Sequence, residues 1–329
     1  MIELLGKYGL VPVVVLDRAE DALPLGEALE QGGLPIMEIT LRTEAGLESI
    51  RRVRAAKPDY LLGAGTVITL DQCKASVDAG ASYIVSPGFN KEIVEWCLQN
   101  NVDVLPGCVT PTEITMALSY GLKVLKFFPA NVYGGASGLK ALYGPFQSTG
   151  VKFVPTGGVS LQNLSEYADK PFLHAVGGSW LTPKDLIAEG KFDAITKITK
   201  DSIIKLLGFE LGHLGINNES AEAAHEVGEL FENAFGWGQK FGDVSVFAGT
   251  GIEAMNYQGA GKMGHIAVRT NSVDRAVFHL EKKGFKADPS TFKYKGGRLT
   301  FAYLTQDFGG FAGTAPVISV AETVFISAS

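Results

Sequence analysis

Eight short apolar runs, each followed by a polar or glycine-bearing turn and then an amphipathic stretch at helical spacing, fill the chain to about residue 205. They cover residues 10–16, 35–41, 60–66, 83–87, 102–107, 124–129, 152–156 and 173–177. Strict alternation of strand and helix implies parallel strands joined by right-handed crossovers. Eight such units in roughly 200 residues predict a small α/β (β/α)8 TIM barrel, whereas a doubly wound open sheet would usually have fewer strands. Many runs end in small or glycine-rich turns: Gly63-Ala64-Gly65-Thr66, Ser86-Pro87-Gly88, Pro129-Ala130, Thr156-Gly157-Gly158 and Gly177-Gly178-Ser179. Such turns let a ligand approach the carboxyl ends of the strands, where barrel enzymes place their chemistry.

After Leu206 the rhythm changes. Strand-like 210–217, a helix candidate at 220–235 and short strands near 243–248 and 251–256 are followed by a similar start, a strand at 264–269 and a helix at 273–283. Two halves of this kind predict a smaller α+β domain with an internal repeat. The expected division is a barrel over residues 1–206 and the second domain over 207–329.

Composition narrows the function. A net charge of -6, with both signs interspersed, offers no sequence-independent grip on nucleic acid. No apolar run approaches membrane-spanning length, so no membrane partner is expected. The run at 10–16 lies between Glu3 and the pair Asp17-Arg18 without a small-x-small cleavage pattern, and reads as a first strand rather than a leader. Cys73, Cys97 and Cys108 are an odd count without metal-ligand spacing, which suits free thiols and a cytoplasmic location.

Within the sixth run, Val124-Leu125-Lys126-Phe127-Phe128-Pro129, one lysine interrupts an otherwise apolar strand. Burial disfavours the charged form of a lysine, and a free amine attacks carbonyls. The second run, Ile36-Met37-Glu38-Ile39-Thr40-Leu41-Arg42, sets Glu38, Thr40 and Arg42 on one face at the strand's period of two, while Met37, Ile39 and Leu41 face the helices. A lysine, a glutamate and an arginine therefore converge inside the barrel. Lys126 is the candidate imine-forming nucleophile toward a 2-keto acid and Glu38 the proton carrier. Arg42 and Thr66 would bind the substrate carboxylate, and Phe128 would exclude water. Thr156, Gly157, Gly158, Gly178 and Ser179, at the ends of the last two strands, match the usual barrel phosphate site. The expected substrate is a phosphorylated 2-keto acid. A sugar-phosphate isomerase or epimerase, or a non-catalytic sugar-phosphate sensor, would use the same barrel without an imine lysine.

The segments Gly33-Leu34-Pro35-Ile36-Met37-Glu38-Ile39-Thr40-Leu41-Arg42, Gly63-Ala64-Gly65-Thr66, Ser86-Pro87-Gly88, Lys126-Phe127-Phe128-Pro129-Ala130 and Gly177-Gly178-Ser179-Trp180 closely resemble those of 2-dehydro-3-deoxy-phosphogluconate (KDPG) aldolases. The resemblance spans about residues 1–205. It implies a class I aldolase with no metal or other cofactor, releasing pyruvate and glyceraldehyde 3-phosphate through Lys126 and Glu38, with Pro87 beside the substrate. It also implies a homotrimer and activity on 4-hydroxy-2-oxoglutarate.

Residues from about 209 onward resemble a glyoxalase-like, vicinal-oxygen-chelate βαβββ domain at Gly212-His213-Leu214-Gly215-Ile216-Asn217 and Gly264-His265-Ile266-Ala267-Val268-Arg269. That resemblance implies that His213, Glu253 and His265 could supply three metal ligands, with the fourth missing from the final strand. The segment 311–317 departs from the expected apolar strand, so an incomplete repeat is expected. Histidines at matching strand starts also occur as inherited, hydrogen-bonded core positions. The expectation is therefore a binding or assembly module without a metal.

Overall fold

The computed structural model describes residues 1–261, 263–307 and 317–322. The chain forms two compact units, Met1–Leu206 and Leu207–Ser329.

The strands of the first unit are β1 (Leu10–Val14), β2 (Ile36–Thr40), β3 (Leu61–Gly65), β4 (Tyr83–Val85), β5 (Asp103–Leu105), β6 (Val124–Phe127), β7 (Lys152–Pro155) and β8 (Val176–Gly178). Six pair in the order β5-β4-β3-β2-β1-β8, and β6 pairs with β7. Bridges between Gly107 and Lys126 and between Thr156 and Gly177 join the two groups and close the (β/α)8 barrel. Every pairing in this unit is parallel. β1, β2 and β3 are buried along their whole length, as strands must be when helices cover one face and the barrel interior the other. Outward-facing Val14, Met37, Ile39, Leu62, Ile84 and Val104 pack with Leu25, Leu29, Ile50, Val53, Ile93 and Val94 of the surrounding helices. Each such side chain contributes about 1.5–3 kcal/mol on burial, so this shell is the main force keeping the ring closed.

Local signals start and stop the helices. Thr69 with Gln72 and Thr110 with Glu113 form reciprocal capping boxes, the second reinforced by Pro111 in the first turn. A helix over Ile2–Tyr8, which the sequence reading did not anticipate, precedes β1. It ends at Gly9, whose left-handed backbone lets its N–H reach the Leu5 carbonyl.

Gly63 and Gly65, at the end of the strand run expected over residues 60–66, are bare for a reason that lies on neighbouring strands. They lie within β3. A Cβ on Gly63 would overlap the Tyr83 ring, and one on Gly65 would overlap the Glu38 carboxylate. These glycines make room inside the barrel for two larger neighbours.

The second unit contains β9 (Glu210–Asn217), β10 (Gln239–Phe241), β11 (Ser245–Ala248), β12 (Ile252–Met255), β13 (Gly264–Thr270), β14 (Ala287–Lys295), β15 (Arg298–Asp307) and β16 (Val317–Glu322). Their order in one sheet is β10-β11-β12-β9-β13-β16-β15-β14. Each half runs strand, helix and three strands, with helices at Ala221–Phe235 and Val273–Lys282. The halves meet through antiparallel β9 and β13. The expected incomplete repeat is corrected by β16, which pairs with β13 directly after the doubtful segment; residues 311–316 themselves lie outside the described residues. Val246 and Ala254 pack beneath Ala224 and Val227 of the first of these helices. Strand alternation turns Ser245, Phe247 and Glu253 to the opposite face. No helix among the described residues is long and apolar enough to cross a membrane.

Candidate active site

Lys126 and Glu38 come from strands on different sides of the barrel and meet inside it. The Lys126 Nζ donates to Glu38 Oε1 at 3.0 Å, with the two residues 5% and 3% exposed. Neighbouring backbone fixes the lysine: its N–H donates to the Pro106 carbonyl, and its own carbonyl accepts from Cys108 N–H. The Phe128 ring centroid lies 5.3 Å from Nζ and covers one side of the amine.

Below this pair, Tyr83 is fully buried and its hydroxyl donates to the Met37 carbonyl at 3.3 Å. Burial, with the charge of Glu38 added, pushes its phenol well above the ordinary range, so it forms a protonated floor. Sequence reasoning missed Tyr83, although the bare Gly63 on the next strand was its available trace. Cys108 is also close by, but burial pushes its thiol up to about 12, which removes it as a competing nucleophile.

The overlap at Gly65 leads to a first expected result. Gly65→Ala forces the Glu38 carboxylate away from Nζ, and a displacement of about 1 Å in such a site lowers kcat by about 10²-fold. Steady-state kinetics on a variant with unchanged circular dichroism measures this. Unaltered kcat would mean that the carboxylate position does not matter.

Arg42 departs from expectation in one respect. β2 ends at Thr40, so Arg42 sits in the turn just beyond it and is exposed. Its Nε donates to Thr66 Oγ1 at 3.2 Å. Thr66 follows β3 with φ at 58°, a left-handed backbone that costs a β-branched residue about 1–3 kcal/mol. The Thr40 hydroxyl, expected on the polar face, is instead occupied by the Val14 carbonyl at 2.9 Å.

The remaining predicted residues fall in three places. Pro87 is half-buried in the turn after β4, its carbonyl packed so closely on Gly107 that only glycine fits there. Thr156 is buried and pairs with Gly177, which sets the turns after β7 and β8 side by side. Gly157 and Gly158 both have positive φ, at 92° and 72°. Gly157 lies against Phe128 and Gly158 against Asn131, which brings the turn after β7 up to the ring that covers the amine. Gly178 is buried under the Trp180 ring, and Ser179 is exposed at the rim. Among the described residues, no hydrogen bond or ion pair joins Pro87, Gly178 or Ser179 to Lys126.

An amine held away from water beside a carboxylate, within a (β/α)8 barrel, is the equipment of a carbon–carbon lyase of the imine-forming kind. The family model for KDPG and KHG aldolases matches residues 1–198. A 2-dehydro-3-deoxy-phosphogluconate aldolase of Treponema pallidum is 45% identical over 203 residues, 62% of this chain and 96% of that protein. The KHG/KDPG aldolase of Escherichia coli is 38% identical over 59% of this chain and 90% of its own length. A crystal structure of KDPG aldolase from Legionella pneumophila, with pyruvate captured as a covalent carbinolamine, shares 37% identity at a TM-score of 0.59, covering 61% of this chain and 97% of that one. The chain belongs to the KDPG and KHG aldolase family.

The second unit gathers a separate cluster. His213 on β9, Glu253 on β12 and His265 on β13 bring one ligand atom each within 4.8 Å of the others. Glu253 Oε2 lies 2.8 Å from His213 Nε2 and 3.2 Å from His265 Nε2, and the two ring nitrogens are 3.0 Å apart. Ser245 Oγ donates to the other carboxylate oxygen at 2.7 Å. Burial works to raise the Glu253 pKa, but hydrogen bonds from His213, His265 and Ser245 outweigh it and hold the group far below the usual carboxylate range. These contacts make conflicting demands on protons. Two bonds to one carboxylate oxygen need both ring nitrogens protonated, whereas the nitrogen–nitrogen contact needs one of them bare. A cation bound by three lone pairs satisfies all three atoms, so this donor set fits a divalent metal.

Proposed function

We propose that the first unit is a Schiff-base aldolase that cleaves 2-dehydro-3-deoxy-6-phosphogluconate to pyruvate and glyceraldehyde 3-phosphate, and 4-hydroxy-2-oxoglutarate to pyruvate and glyoxylate. The buried contact between Lys126 and Glu38 carries this reading. The amine attacks the C2 carbonyl to give a carbinolamine. Glu38 supports proton transfer as water leaves and the protonated imine forms. Glu38 then takes the proton of the C4 hydroxyl and the C3–C4 bond breaks. The aldehyde departs, and the electron pair is held on C3 as an enamine conjugated to the imine nitrogen. Protonation at C3 and hydrolysis return pyruvate and the free amine. Phe128 keeps bulk water from the imine.

Arg42, seated on the Thr66 hydroxyl, takes the substrate carboxylate, with Pro87 beside it. Gly157, Gly158, Gly178 and Ser179 receive the phosphate on backbone N–H groups, because their turns are adjacent and two of the glycines have the left-handed backbone that exposes such groups, while Thr156, whose own N–H donates to the Phe127 carbonyl at 2.9 Å, anchors the start of the first turn. The proposed assembly is a cytoplasmic homotrimer. It rests on the family resemblance and the three free cysteines, and a sedimentation mass other than that of three chains would remove the trimer.

The deciding assay measures pyruvate release from the phosphogluconate derivative, its galactonate epimer and 4-hydroxy-2-oxoglutarate, each with and without a chelator. The reading expects cleavage of the first and third, undiminished by chelation. Activity lost with the chelator, or no pyruvate from any substrate, would overturn it.

A further inference from the structure

The turn after β7 is braced by a side chain that the reaction chemistry does not call on. Asn163 lies five residues beyond Gly158, at the entrance to a one-turn helix over Ser165–Ala168. Its backbone is fixed, because the neighbouring Leu164 is fully buried and its own carbonyl accepts from the Glu166 N–H at 3.1 Å. The side chain reaches back to the turn and makes two bonds there. Nδ2 donates to the Gly158 carbonyl at 3.0 Å, and Oδ1 accepts from the Ser160 N–H at 2.8 Å. With a partner at each end, the amide is held in one orientation.

These bonds fix the direction of a peptide. In a trans peptide the carbonyl and the N–H of the next residue point opposite ways. The Gly157 carbonyl accepts from the Asn131 N–H at 3.1 Å, and the Gly158 carbonyl is held by Asn163. The N–H groups of Gly158 and Val159 are therefore turned the other way, and among the described residues neither meets an acceptor. Successive N–H groups of this kind, around a left-handed glycine at φ 72°, make a cradle for an anion. A Cβ on Gly158 would overlap the Asn131 side chain, so the position must be glycine. Glycine is also the residue whose peptide turns most freely once its carbonyl is released.

We propose, resting on the aldolase reading, that Asn163 is a positioning residue that sets the preference for a phosphorylated substrate by holding the Gly158–Val159 peptide with its N–H toward the phosphate. Among the described residues Asn163 has no bond to Lys126 or Glu38. Its loss leaves the chemical steps, and the hold on an unphosphorylated keto acid, in place.

The test compares full-length wild type, Asn163→Ala and Asn163→Asp. Each is assayed on 2-dehydro-3-deoxy-6-phosphogluconate and on 4-hydroxy-2-oxoglutarate. Its affinity for glycerol 3-phosphate, which has no ketone to engage Lys126, is measured by calorimetry. In both variants KM for the phosphorylated substrate should rise at least about 10-fold with kcat nearly kept, since a hydrogen bond to a charged group is lost. Glycerol 3-phosphate should bind at least about 10-fold more weakly for the same reason. Kinetics on the unphosphorylated acid should stay as in wild type, which also shows that the variants fold. Aspartate keeps an acceptor for the Ser160 N–H but has no donor for the Gly158 carbonyl and adds a negative charge, so it should bind the phosphate no better than alanine. A residue that only stabilised the turn would give the reverse, with aspartate milder than alanine and both substrates affected alike. That pattern, or unchanged affinity for glycerol 3-phosphate in the alanine variant, would overturn the assignment. Wild type that cleaves neither substrate would defeat the aldolase reading instead, and the calorimetry would still decide the role of Asn163.

Discussion

Lys126→Met should abolish borohydride trapping of pyruvate on the protein and lower aldol cleavage by at least about 10⁴-fold. Methionine nearly matches the length of the lysine side chain but has no amine, so packing beside Phe128 is roughly kept while the nucleophile is lost. The variant also has a stability cost. Glu38, 3% exposed, loses its partner, and a buried charge left alone costs about 3–5 kcal/mol. Inactivity of the single variant could therefore reflect unfolding. Lys126→Met/Glu38→Gln separates the two effects, because an amide tolerates this site without a counter-charge. The double variant should recover much of the lost thermal stability and remain inactive. Mass spectrometry of wild type treated with pyruvate and borohydride should locate the reduced adduct on Lys126 alone. An adduct on another lysine, or substantial turnover by the folded double variant, would defeat the assignment.

The barrel was readable because its two periodicities differ so sharply. Strand residues such as Glu38 and Ile39 alternate between interior and shell, while helices carry apolar positions such as Ile50 and Val53 three apart. Lys126 and Glu38 were readable for a related reason, since a charge inside an apolar strand stands out without any knowledge of its partner. Other features depended on contacts far apart in the chain. Arg42 continues the alternation of β2 in sequence, but the strand ends two residues earlier and leaves it in a turn. Gly63 and Gly65 have the composition of a turn, and only the positions of Tyr83 and Glu38 on neighbouring strands show why they are bare. β10 was missed because Gln239 and Lys240 give it almost no apolar signal. β16 is hard to read from sequence because glycine, proline and threonine crowd the segment before it. The histidine pair was visible as a repeated motif, whereas its 3.0 Å approach follows from the register of β9 against β13.

Glu38→Gln tests whether the carboxylate transfers protons or only neutralises a buried amine. Glutamine keeps the length of the side chain and a carbonyl oxygen that can accept from Nζ, so the 3.0 Å contact can survive. What disappears is the capacity to take a proton from the C4 hydroxyl and to deliver one during dehydration. Loss of a positioned acid–base group lowers kcat by about 10²–10⁴-fold. KM for substrate should change little, because Arg42 and the turns after β7 and β8, the proposed carboxylate and phosphate sites, are untouched. Pyruvate should still be trapped on Lys126 by borohydride, although more slowly, since imine formation uses the same proton carrier. Glu38→Asp provides the contrast: it keeps the chemistry but withdraws the carboxylate by one methylene. If proton transfer is the role, the aspartate variant retains more activity than the glutamine variant, and activity falls with distance from the amine. If Glu38 is only a counter-charge, both variants lose thermal stability while kcat stays within a few-fold of wild type. That second pattern would remove the acid–base assignment and leave Lys126 without its proposed proton carrier.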